Sequence, residues 1–221
     1  MSEPSNTPSP EGPGPVTADD VAEAVQITVA ALRPASGADW HVPAGSLEWT
    51  CWETGEHLAD DLFAYAARIG SLAPSLDEEE PFGFSRRRPQ GPANTVTADV
   101  ERGVGGLMQA VEACGGLLVA VVRATPPNTR AFHIFGVSDP EGFAAMGVVE
   151  TLLHAHDMAL GLGVPFEPPA ALCARVLHRL FPDAPEEAAP WPTLLWVTGR
   201  GELPGRERVD KWRWYGAPRA T

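Results

Sequence analysis

The chain has 221 residues, 44% of them apolar, and a formal net charge of -13, with Lys211 its one lysine beside fifteen arginines. The apolar share is enough for a core, and the acidic balance argues against nucleic-acid or anionic-membrane partners. Cys51, Cys114 and Cys173 are odd in number and form no C-x-x-C pair, which fits reduced thiols in a cytoplasmic protein. The longest uninterrupted apolar run, residues 117–122, is too short to cross a bilayer, so no membrane association is expected. No basic stretch followed by an apolar one marks a secretory signal.

Residues 1–16, rich in Ser, Pro, Gly and Glu, read as a disordered leader. Thr17 followed by Asp19 and Asp20 is an N-cap signature, and Val21, Val25, Val29 and Leu32 continue at helical spacing. Pro34 and Gly37 end this first helix. Residues 38–49 form a connection whose Trp40, Leu47 and Trp49 can pack back on the helices. Thr50-Cys51-Trp52-Glu53 is a capping box, which predicts a second helix over about residues 51–69. Its apolar stripe is Leu58, Leu62, Tyr65, Ala66 and Ile69. His57 lies two turns in, with Asp60 and Asp61 three and four residues on. This group is either a hydrogen-bonded histidine beside a solvated acidic face, or a ligand whose ring the carboxylates orient. Cys51, at the helix start, is either activated by the helix N-terminus or a small apolar filler; no base stands beside it in the sequence, which favours the filler.

Residues 70–95 form a long loop of Pro, Gly and charge, with acids at 77–80 and Arg86, Arg87 and Arg88. The arginines read as solvated, or as available to an anionic substrate group. Thr97 is the expected cap of a third helix, with an apolar pattern from Val100 to Val122 that Gly115-Gly116 can bend and Pro126-Pro127 stops. His133, in the following connection, reads as structural. Ser138-Asp139-Pro140-Glu141 is a second capping box and opens a fourth helix over about residues 140–162, ended by Gly161, Gly163 and Pro165.

That fourth helix carries Glu150, His154 four residues later, and Asp157 three beyond, all on one face. The pair is either an exposed helix contact worth a few tenths of a kcal/mol, or two ligands of one divalent ion awaiting a third from another helix. His156 points away from that face. Four amphipathic helices in one chain predict an all-α antiparallel four-helix bundle over residues 17–165. Residues 166–221 read as an appendage. It holds a short helix at 170–180, an apolar segment at 193–198 that is either helix or strand, and a tryptophan-rich end laid on the bundle.

Three stretches resemble the metal-binding domain of mycothiol-dependent maleylpyruvate isomerases, a branch of the DinB-like superfamily. They are Gly45-Ser46-Leu47-Glu48-Trp49-Thr50, His57-Leu58, and the Glu150-x-x-x-His154-x-x-Asp157 helix. The resemblance spans residues 17–165 and implies a DinB-like bundle. In it His57, Glu150 and His154 hold a divalent metal, usually zinc. From their spacing, Asp157 and Asp61 are expected to support those ligands from behind. The resemblance also implies mycothiol or another small thiol as cosubstrate and a small electrophile as substrate. The isomerases carry a further C-terminal domain that residues 166–221 do not match, so S-transfer is expected ahead of isomerisation. Two other uses of the same helices stand beside this one. One is hydrolysis by metal-activated water, with Asp60, Asp61 or Asp157 as base. The other is a non-catalytic bundle that binds a ligand or partner.

Overall fold

Side-chain capping marks where three of the helices begin. In the computed structural model, which describes residues 12–219, α1 (Ala18–Leu32) starts at Thr17. Its hydroxyl accepts from the Asp20 N–H, while the Asp20 carboxylate accepts from the Thr17 N–H. Two of the donors that an open helix end leaves stranded are thereby satisfied. Thr50 and Glu53 repeat the arrangement at α2 (Cys51–Gly70). The next two starts differ from expectation. Asp99, not Thr97, caps a single 3-10 turn, Val100–Arg102, and Gly103 at φ 57° then turns the chain into α3 (Gly103–Ala124). That φ suits glycine because it has no Cβ to clash. At α4 (Pro140–Leu162) the cap is Asp139, which accepts from the Gly142 N–H at 2.8 Å. Its neighbour Ser138 instead donates to the Gly216 carbonyl. Gly115-Gly116 does not interrupt α3; a Cβ on Gly115 would come within 2.7 Å of Val25, so this glycine lets α3 approach α1 closely.

The chain is all-α, with six helices and, among the described residues, no strand. α1 and α2 each pack on both α3 and α4, α5 (Ala170–Leu180) packs on α4, and α6 (Pro190–Val197) packs on α5. The segment at 193–198 is therefore helical in its larger part. α4 is not amphipathic, as expected of it, but enclosed: Gly142 to Val149 and Thr151 to Ala155 are all buried. A helix apolar on every side needs neighbours on every side, and α5 with the C-terminal residues supplies the fourth wall. Arg179, 3% exposed, donates to Asp139 and to the Tyr215, Gly216 and Ala217 carbonyls. Trp214 is buried against His133 and Phe135. Most of the expected leader lies outside the described residues, but Val16 is buried and its N–H donates to Glu141.

Residues 71–99 are tied down by α2. Arg87 forks onto Glu56 at 2.6 and 2.7 Å, and Arg88 onto Glu53 at 2.7 and 2.8 Å, so these two arginines stay partly exposed to solvent but have their guanidinium forks engaged by buried carboxylates. Asp60 accepts from the Thr95 and Val96 N–H groups. The helical stretch Val100–Ala124 is long and apolar enough to cross a membrane, with a mean hydropathy of 1.6, which the uninterrupted run at 117–122 does not reveal. Here it turns Leu107, Met108, Val111, Cys114 and Leu118 into the core.

Candidate metal centre

Two helices and two irregular segments meet at one cluster. α2 delivers His57 and, one turn on, Asp61; α4 delivers Glu150, His154 and Asp157. The Asp61 Oδ2 atom lies 3.5 Å from His57 Nε2 and 3.9 Å from His154 Nε2. Glu150 Oε2 lies 3.2 Å from the same His154 nitrogen. The far side of each ring is backed by an acceptor. His57 Nδ1 is 3.1 Å from Asn94 Oδ1, and His154 Nδ1 faces Asp157 Oδ2 at 3.6 Å. An amide oxygen only accepts, so the Asn94 contact favours a proton on His57 Nδ1; His154 Nδ1 faces Asp157 without a hydrogen bond, and each Nε2 is aimed into the cluster. Trp49, half-buried, meets the His57 ring edge-on at 4.8 Å between centroids.

Burial and mutual charge set the protonation. His57 is driven down to about 4, by burial first and by the neighbouring His154 next. Burial would also lower His154, but Asp157 and Glu150 outweigh it and raise the ring to about 9. Glu150 is held below the usual carboxylate range, since His154 overcomes the effect of burial. Asp157 is lowered likewise, by His154 and Arg200 against burial. Asp61 goes the other way: burial and the nearby Glu150 push it well up.

His57, Asp61 and His154 offer ligand atoms that all lie within 4.8 Å of one another, a group that could hold a metal ion. The donor set suits a divalent cation. Asp61 Oδ2 is buried with no hydrogen-bond partner. Such an orphan is costly beside two ring nitrogens, and a cation is the group that satisfies all three at once. The cluster thus places Asp61 among the candidate ligands rather than behind them. Glu150 joins through His154, outside the mutually close trio. Asp157 lies on the Nδ1 side of His154, away from that trio.

Asp60, a candidate base for hydrolysis, is occupied by backbone N–H groups. Cys51 is a filler: its thiol is buried beside the Met158 and Pro43 carbonyls, and burial raises it to about 11. His133 is buried and accepts from the Phe135 N–H. His156 packs edge-on against Trp191, off the cluster. Sequence reasoning missed two residues, Asn94 and Arg200. Neither lies in a periodic segment, and the loop and turn that carry them give no local signal of their targets. Cavities of about 380 and 310 Å³ open on the C-terminal segment, and none of the cluster residues lines either.

No family model, curated protein or solved structure matches the chain.

Proposed function

We propose that this protein is a divalent-metal-binding helical bundle of the antiparallel, DinB-like kind, and that it is a thiol-dependent S-transferase. His57, His154 and Glu150, with Asp61 beside them, would hold the ion, zinc first among the candidates. The cosubstrate would be mycothiol or a similar small thiol, and the acceptor a small electrophile. One observation carries the metal reading: both imidazole Nε2 atoms face a buried carboxylate oxygen that has no hydrogen-bond partner, while both Nδ1 atoms are backed by acceptors. Zinc at such a set supplies thiolate formation at neutral pH. The chain's own part is to fix the two rings through Asn94 and Asp157 and to roof them with Trp49. The thiol step and the bundle relationship rest on the sequence resemblance.

The test has two stages. Metal analysis of untagged protein purified without chelator should return one zinc per chain, sharply reduced in His57→Ala. Turnover with mycothiol and a generic electrophile should then require both the thiol and the metal. Fully metallated protein inactive with every thiol tried would reject the transferase. A second reading would remain, a metal-holding bundle that binds rather than reacts.

A further inference from the structure

The C-terminal segment reaches the cluster through one side chain. Arg200 sits 43 residues beyond Asp157 and grips its carboxylate from two sides. Its Nε lies 3.1 Å from both oxygens, and its Nη2 lies 2.9 Å from Oδ2. Asp157 Oδ2 is the same atom that faces His154 Nδ1. That nitrogen belongs to a residue only 5% exposed and has no hydrogen-bond partner of its own.

Arg200 is in turn delivered by a built turn. Gly199, at φ 71°, follows α6, and a Cβ there would meet the Val209 carbonyl at 2.8 Å. The Arg200 N–H donates to the Leu195 carbonyl, and its guanidinium lies 6.0 Å from the Trp212 ring centroid, within cation–π range.

We infer that Arg200 is a positioning residue for the metal centre, acting on His154 through Asp157. This rests on the metal reading above. The argument is geometric. A helix fixes the Asp157 Cβ but leaves its carboxylate free to rotate about two bonds. A planar guanidinium fork holds both oxygens at once and removes that freedom. With the carboxylate fixed, the His154 ring has one orientation that turns Nδ1 to Oδ2 and Nε2 to Asp61 and Glu150. The outer partners of metal-bound histidines typically govern affinity by about 10–100-fold. On this view the C-terminal segment is a working part of the site, since docking it is what completes the orientation of a ligand on α4.

The test is calorimetric titration of zinc chloride into chelator-stripped protein. Arg200→Ala should bind zinc about 10–100-fold more weakly than wild type. Arg200→Lys should fall between them, because a single ammonium restores charge but not the fork. Arg206→Ala, which breaks an exposed pair with Glu187 in the same segment, should bind as wild type does. A cobalt-loaded sample adds a readout that loss of fold does not mimic: the visible d–d bands should shift in Arg200→Ala and return toward wild type in Arg200→Lys. Arg200→Ala affinity within twofold of wild type, with His57→Ala defective, overturns the inference and spares the metal reading. Wild type that binds no divalent ion overturns both. If Arg200→Ala does not fold, Arg200→Lys decides, and wild-type affinity in that variant overturns the inference.

Discussion

The His133 ring is 5% exposed, accepts the Phe135 N–H at Nδ1, and lies among Tyr65, Phe143 and Trp214. Burial first, and Arg68 next, lower it to about 4 against the opposing pull of Glu150. Unfolded, it titrates near the ordinary value of about 6.5. Between those two values the unfolded chain binds a proton that the folded chain does not. The contribution of this residue to stability is therefore full above about pH 6.5 and is lost as pH falls toward 4, by on the order of 3 kcal/mol. Urea midpoints at pH 7.5 and 4.5 should show a smaller acid loss in His133→Phe than in wild type, and an equal loss would count against this account. His57 adds to the wild-type loss in the same window and remains in the variant, so the difference isolates His133. At this scale the sequence shows what helical spacing shows. Glu150, His154 and Asp157 can be placed on one face because a helix repeats every three to four residues. Asn94 and Arg200 follow no such rule, and only the folded chain shows what they reach.

Helix boundaries are legible where one capping residue stands alone, as at Thr17 and Thr50. They are less so where two competent residues adjoin, as at Ser138 and Asp139, where the tail's Gly216 carbonyl takes the serine and leaves the aspartate to cap. The loop between α2 and α3 shows a second limit. Its arginines look solvated in sequence, but Glu56 is 1% exposed, and a buried carboxylate needs a partner. Arg87→Ala leaves that charge with the Ala98 N–H but no cation and should cost about 2–4 kcal/mol, discounted toward the lower end because Arg87 itself is 38% exposed. Arg123→Ala, which breaks an exposed pair with Asp19, should cost at most about 0.5 kcal/mol. Equal losses in the two variants, read by urea denaturation, would refute the clamp. Glycines give a matched test. A Cβ on Gly161 of α4 would lie 2.3 Å from the Pro43 carbonyl and 2.7 Å from the Cys51 sulfur, so Gly161→Ala should destabilise by about 1–3 kcal/mol. Gly116 of α3 is exposed with open space around it, so Gly116→Ala should stabilise by about 0.5–1 kcal/mol. A destabilised Gly116→Ala would mean that its outer face is not free.

Across the whole molecule, the candidate centre joins parts that are far apart in the chain. α2 brings His57 and Asp61, α4 brings His154 and Glu150, the loop brings Asn94, and the C-terminal turn brings Arg200. The all-α class follows from the helical periodicity, but the enclosure of α4 does not, because a helix apolar on all sides has no face to read. An ion bound here binds the folded chain and finds no such cluster in the unfolded one, so its binding free energy adds to folding. At free zinc 100-fold above its dissociation constant the gain is about 2.7 kcal/mol. For a chain of this size that corresponds to a rise of roughly 5–10 °C in the unfolding midpoint. The rise should vanish with chelator and be absent in His57→Ala, which removes one ring from the set. The Cys114 and Cys173 thiols, which burial raises to about 11 and 12, are poor competitors for the metal in the folded state. Zinc that shifts the His57→Ala midpoint as far as that of wild type would place the ion elsewhere, and zinc that shifts neither would leave the cluster without a metal role.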